Sequence, residues 1–116
     1  PLADALFNLS RLPLLLDALR SGDLKLIAHM LPDRLRLPHL KPQILGYDRA
    51  VEMALRTGAA AVTLCGGGPA LIAFADSEHR RIATAMELAF ENAGIAARSW
   101  VLPVDTQGVV VSMSGS

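Results

Sequence analysis

The chain has 116 residues, 52% of them hydrophobic and 19% charged, with eleven Lys plus Arg balancing eleven Asp plus Glu. This leaves room for one domain of ordinary size, residues 1–116, and excludes the basic field that gathers nucleic acid or anionic lipid. A folded protein of this mass exposes roughly 6,000 Å² and buries about two-thirds of its unfolded surface, enough for a core without covalent staples.

Leu6, Leu9, Leu12, Leu16 and Leu19 recur at close to helical spacing over residues 2–20, with Pro13 removing a backbone donor in mid-helix. Gly22 ends that segment, and Asp23 is placed to cap a shorter helix carrying Leu24, Ile27, Ala28 and Leu31 before Pro32 stops it. Residues 32–43 hold Pro32, Pro38 and Pro42 and read as a long, irregular but ordered loop. A third helix is expected over residues 45–57, with Ala50, Val51, Ala54 and Leu55 on one face and Gly58 as its left-handed end.

After Gly58 the period changes, and residues 60–64 and 70–75 are short apolar runs that read as strands. The uncharged stretch 57–75 has about the length of a membrane span, but Gly66, Gly67, Gly68 and Pro69 break it in the middle, so no membrane role is read into it. Asp76 or Ser77 then caps a helix whose stripe is Ile82, Ala85, Met86, Ala89 and Phe90, ending at Gly94. Strands are expected at residues 97–104 and 108–113, with Asp105 as a turn residue and the terminal Ser-Gly-Ser frayed. The opening at Pro1 lacks the basic segment of a signal peptide, and its not being Met suits a piece of a longer polypeptide.

Helices followed by strand, turn, strand, helix and strand give an α+β domain: an antiparallel sheet with helices on one face, plus an N-terminal helical segment. A ferredoxin-like plait runs βαββαβ, so its opening strand either lies upstream of Pro1 or is replaced by residues 108–113.

Two features carry candidate chemistry. Cys65-Gly66-Gly67-Gly68-Pro69 lies between the paired strands; it is either a tight turn or a place where backbone amides approach a ligand or second loop closely. It has neither the Gly-Lys-Ser/Thr ending of a Walker loop nor the helix start of a dinucleotide fingerprint. The second feature is the run 33–42, which gathers Arg34, Arg36, His39 and Lys41 in an otherwise neutral chain. It is either a solvated basic loop or a receptor for a carboxylate or phosphate.

Cys65 is the single cysteine, so there is neither an internal disulfide framework nor a multi-cysteine zinc site, which fits a reducing cytoplasm. His29, His39 and His79 fall in three different elements, so Cys65 has no evident base and reads as a small buried hydrophobe. His29 suits the polar side of its helix and His79 the first turn of the capped one. The histidines lack metal-ligand spacing, and no metal is assigned to this chain.

The order of Asn8-Leu9-Ser10-Arg11, Gly22-Asp23, Asp33-Arg34-Leu35, Pro38, Gly46, Gly58-Ala59, Leu64 through Pro69, and Trp100 resembles the C-terminal half of homoserine kinase, of the GHMP group of small-molecule kinases. The resemblance runs over nearly the whole chain and is most specific at the glycine-rich turn and the Asp-x-Leu-x-x-Pro loop. It implies a ferredoxin-like C-terminal domain of an enzyme that moves the γ-phosphoryl group of ATP to the hydroxyl of L-homoserine in threonine biosynthesis, with Mg²⁺. ATP and Mg²⁺ would be bound mainly by an N-terminal lobe that these residues do not include, so the chain alone is expected to be inactive and to hold no catalytic residue.

In this resemblance Cys65, Gly66, Gly67, Gly68 and Pro69 order the phosphate loop of the N-terminal lobe. The sequence departs from the family at Cys65, where the family has serine, and at Leu40, where it has the arginine that holds the substrate carboxylate. Arg36, His39 and Lys41 are the neighbouring candidates for substrate binding. The alternatives are a non-catalytic amino-acid-binding or interaction domain on the same plait, and a GHMP kinase for another small alcohol. A domain separated from its lobe is also expected to carry surplus apolar surface and to pair with itself.

Overall fold

The computed structural model describes residues 1–66, 69–104, 107–109 and 111–112. Helix α1 (Leu2–Ser21) runs through Pro13 and ends at Gly22, as the sequence predicts, and the Gly22 φ of 72° makes it a left-handed cap. The Asp23 carboxylate accepts the Leu26 amide at 3.0 Å and starts α2 (Leu24–Met30). The two helices pack through Ala18 and Ile27, both fully buried or nearly so.

The stretch expected to be irregular contains a four-residue helix, α3 (Leu37–Leu40), followed by a 3-10 turn at Lys41–Gln43. Pro38 and Pro42 sit in the first turn of each piece, where their missing N–H groups would have no intrahelical partner. Proline therefore starts these turns instead of preventing them. Helix α4 (Tyr47–Thr57) begins two residues later than expected because Gly46, at φ 83°, is its N-terminal flank. Its buried stripe is Tyr47, Ala50 and Ala54, and Leu55 at the stripe's edge is exposed.

Strands β1 (Ala61–Leu64) and β2 (Leu71–Phe74) pair antiparallel, with Ala61 opposite Phe74, Val62 opposite Ala73, Thr63 opposite Ile72 and Leu64 opposite Leu71. Successive residues of a strand point to opposite faces, and the clusters follow that rule. Ala61 and Phe74 join Ala18 and Ile27 under α1 and α2, whereas Val62 and Ala73 join Ala54, Ala59 and Ile82 under α4 and α5. Helices α4 and α5 thus share one face of the hairpin, and the N-terminal helical segment covers the other. Burial of Ile27 and of Ile82 contributes about 1.5–3 kcal/mol each.

Helix α5 (His79–Asn92) starts one residue after Glu78, which takes φ 62° and gives no side-chain cap. Asp76 and Ser77 do not cap it; the Ser77 hydroxyl donates to the Asp76 carboxylate instead. Its expected stripe holds, with Ile82 and Ala89 buried and Ala85, Met86 and Phe90 half-buried.

Residues 97–104 form no strand. A strand needs a ladder partner, and among the described residues β1 and β2 hydrogen-bond only with each other. Ser99 reaches Glu87 on α5, while Trp100 and Leu102 stay exposed. Of the second expected strand, Val110 and Met113 lie outside the described residues, as do Asp105 and the Ser-Gly-Ser end; Gly108, Val109, Val111 and Ser112 are in no strand.

The accessible surface is 8457 Å², about 2,400 Å² more than the scaling rule gives for this mass. On α1, Leu2, Leu6, Leu9, Leu12, Leu16 and Leu19 share one exposed face. Their spacing is that of a helix stripe that packs against something.

Candidate functional site

The loop after α2 is built around Asp33. Its Oδ1 accepts the Leu35 amide at 2.8 Å and the Arg36 amide at 3.2 Å, and its Oδ2 accepts the Leu37 amide at 3.2 Å. Asn8 on α1 donates to the same Oδ1 at 2.6 Å and accepts the Arg34 amide through its own Oδ1 at 3.0 Å. An aspartate so placed satisfies the free amides that open α3. Desolvation pushes the Asp33 carboxyl upward, but the bonds from Asn8 and the Leu35, Arg36 and Leu37 amides outweigh it, holding the carboxyl below its usual range.

Phe7, one residue before Asn8, is stacked by two guanidinium groups. The Cζ of Arg11 lies 3.3 Å from the ring centroid and that of Arg34 lies 3.6 Å from it. At those distances both must approach along the ring normal, so they occupy opposite faces. Arg11 also donates from Nη1 to the Phe7 carbonyl at 3.1 Å, while its buried Nε has no partner among the described residues. Two cation–π contacts and the Asn8 bonds therefore tie the start of the basic loop to α1.

Of the residues expected to bind substrate, Arg36 and His39 are exposed, and their side chains make no hydrogen bond or ion pair among the described residues. The Arg36 carbonyl accepts the amides of His39 and Leu40, both at 3.0 Å, which sets the turn that presents them. Lys41 pairs with Asp48 at 3.1 Å and lies 5.9 Å from the centre of the Tyr47 ring. Burial raises the Tyr47 hydroxyl above its ordinary pKa, which the Lys41 charge opposes and the Asp48 charge reinforces. Lys41, Pro42 and the residues from Ile44 to Arg49 line an open depression of ≈ 380 Å³ beside the loop.

The glycine-rich turn lies at the far end of β1. Cys65 donates its amide to the Ala70 carbonyl at 2.8 Å, closing the hairpin. The Cys65 side chain is exposed, which corrects its reading as a small buried hydrophobe: it lies one residue past the end of β1 and beyond both clusters. Gly66 takes φ 62°, a conformation that side chains rarely adopt, and a Cβ there would meet open space. Pro69 is exposed, and Gly67 and Gly68 lie outside the described residues. No hydrogen bond or ion pair among the described residues joins this turn to Arg36, His39 or Lys41.

The sequence marks Asn8, Arg11 and Asp33 only as pieces of a pattern and Arg34 as one of the basic residues of the loop, without joining them. Their pairing crosses 25 residues of chain between Asn8 and Asp33, and no local periodicity reports a contact of that kind. Among the described residues no three His, Cys, Asp or Glu side chains come together to hold a metal ion, and no helix is long and apolar enough to cross a membrane.

The family model for the C-terminal domain of GHMP kinases matches residues 15–92. Homoserine kinase of Picosynechococcus sp. is 38% identical over 110 residues, 94% of this chain and 36% of that protein. Homoserine kinase of Moorella thermoacetica is 39% identical over 110 residues, 95% of this chain and 37% of that protein. The crystal structure of homoserine kinase from Cytophaga hutchinsonii is similar with a TM-score of 0.72 and 26% identity, covering 79% of this chain and 30% of that one. The chain thus spans about a third of the length of the curated relatives it matches.

Proposed function

Because the chain belongs to the GHMP kinase family as its C-terminal domain, we propose that it is the C-terminal part of a homoserine kinase. The whole protein moves the γ-phosphoryl group of ATP to the hydroxyl of L-homoserine, in the cytoplasm, on the route to threonine. The observation that carries this reading is the 36–40% identity to homoserine kinases over more than nine-tenths of the chain.

In this reading the 33–41 loop receives the amino-acid substrate. Arg36 and Lys41 supply positive charge and His39 a ring nitrogen for its carboxylate, and the Asp33 bonds hold the turn that presents them. The turn Cys65, Gly66, Gly67, Gly68 and Pro69 supports the phosphate-binding loop of the N-terminal lobe, and the open space at Gly66 suits a close backbone neighbour. Phosphoryl transfer depends on positioning and on charge stabilisation, and these residues supply positioning. ATP and Mg²⁺ are held mainly by the N-terminal lobe; when bound, Mg²⁺ neutralises developing phosphate charge.

The exposed leucine face of α1 and the surplus accessible surface suit a domain that rests against the remainder of a polypeptide some three times its length. Leu40, standing where the family has its carboxylate-binding arginine, favours a second reading in which the acceptor is another small alcohol. Steady-state assays of the full-length polypeptide with ATP separate the two: the first expects turnover with L-homoserine and none by the 116-residue chain alone. In the same assays Leu40→Arg lowers the Michaelis constant for homoserine about ten-fold, the value of one charge-assisted hydrogen bond. Turnover with another alcohol but none with homoserine would transfer the assignment to the second reading.

A further inference from the structure

We infer that Asn8 and Asp33 act as one positioning unit for the amino-acid-binding loop, setting substrate affinity from α1 without touching the substrate. The inference rests on the substrate role given above to Arg36, His39 and Lys41. Asn8 Nδ2 donates to Asp33 Oδ1 at 2.6 Å, and that oxygen accepts the Arg36 amide at 3.2 Å. The Arg36 carbonyl in turn accepts the amides of His39 and Leu40, and the Lys41 carbonyl accepts the amide of Ile44. The Asp33 Oδ2 accepts the Leu37 amide and the Leu37 carbonyl accepts the Lys41 amide, so hydrogen bonds run from α1 through Asp33 to the backbone of Arg36, His39 and Lys41.

Arg36 and His39 make no side-chain bonds of their own among the described residues, so their backbone bonds, with the Gln43 Nε2 bond to the His39 carbonyl at 3.4 Å, set where they point from. The exposed Lys41–Asp48 pair is too weak to replace it. The Arg34 amide bonded to Asn8 and the Arg11–Phe7–Arg34 stack hold the same end, so the loop is clamped at its entrance. Asn8 is the key to the clamp because its one side chain both donates to Asp33 and accepts from Arg34. Alanine there removes both bonds, while α1 keeps its burial through Ala18.

The test is a double-mutant cycle in the full-length polypeptide, measuring kcat and the Michaelis constants for both substrates. Asn8→Ala and Asp33→Ala are each expected to raise the Michaelis constant for the amino acid about ten-fold, leaving that for ATP within two-fold. The double variant is expected to be no worse than the poorer single one, since the two groups form one unit. Multiplied effects, or equal losses for both substrates, overturn the inference. Hydrogen exchange of the Leu35, Arg36 and Leu37 amides is followed in parallel and expected to quicken at least ten-fold in Asn8→Ala with the global unfolding midpoint little moved. Unchanged exchange overturns the clamp whatever the enzyme acts on. A full-length protein that does not phosphorylate homoserine but shows the faster exchange has lost the functional reading and kept the clamp.

Discussion

Replacing Gly46 with alanine tests the packing of α4 on α5 at its tightest point. Gly46 takes φ 83°, and a Cβ there would lie 3.1 Å from the Ala93 Cβ and 3.3 Å from the Phe90 Cδ1. The left-handed conformation alone costs an L-residue about 1–2 kcal/mol. The Ala93 methyl has no rotamer by which to withdraw, so overpacking adds about 1–3 kcal/mol. Gly22 supplies the control, because it has a similar φ of 72° with no atom within 4 Å of its would-be Cβ. Alanine lowers the entropy of the unfolded chain equally at both sites, so that contribution cancels in the comparison. Urea unfolding followed by far-ultraviolet circular dichroism, at low protein concentration, should show Gly46→Ala less stable than Gly22→Ala by about 1–3 kcal/mol. Equal losses in the two variants would refute the reasoning, since they would leave the α4–α5 approach with no energetic consequence.

Three further outcomes follow from other parts of the molecule. Asp33 has a depressed carboxyl pKa in the folded chain, so its contribution is fully present above the ordinary carboxylate pKa of 3.8 and is lost as pH falls through the folded value. The stability gap between the parent and Asp33→Asn should therefore be flat at neutral pH and close on acidification below about pH 4; a gap that widens there contradicts the assignment. Lys41→Ala should raise the Michaelis constant for the amino-acid substrate of the full-length protein several-fold while changing stability by less than about 1 kcal/mol, because its pair with Asp48 is exposed. The isolated chain should self-associate through the α1 leucines, and light scattering should report dimers or larger species that Leu9→Glu with Leu16→Glu returns to monomer; a clean parent monomer at tens of micromolar would argue against that face as an interface.

Much of the fold was legible where the signal is local. Gly22, Asp23 and Gly58 mark helix ends through backbone conformation and side-chain capping, and all three do so in the structure. The hairpin and the stripe of α5 follow from apolar spacing. Local reading failed elsewhere, and three of the failures have different reasons. Pro38 and Pro42 looked like breakers because proline is judged against a helix interior, whereas here each occupies a first turn. Residues 97–104 carry an apolar run that suits a strand, but a strand exists only with a ladder partner. Cys65 carries a burial preference that its place outside the ladder overrides.

The candidate site divides in the same way. The basic residues and the glycine-rich turn stand out by composition, and the resemblance to the GHMP kinase C-terminal domain was carried by short motifs in order. Those are properties of residue type and spacing, and the sequence by itself determined them. Only the tertiary structure decided that Asn8 bonds Asp33 and that Arg11 and Arg34 flank Phe7. It also decided that the leucine stripe of α1 faces outward. The physical reason is common to all three: each depends on which helix face turns toward a segment distant in the chain. A helical period shows that a face exists and leaves open what meets it.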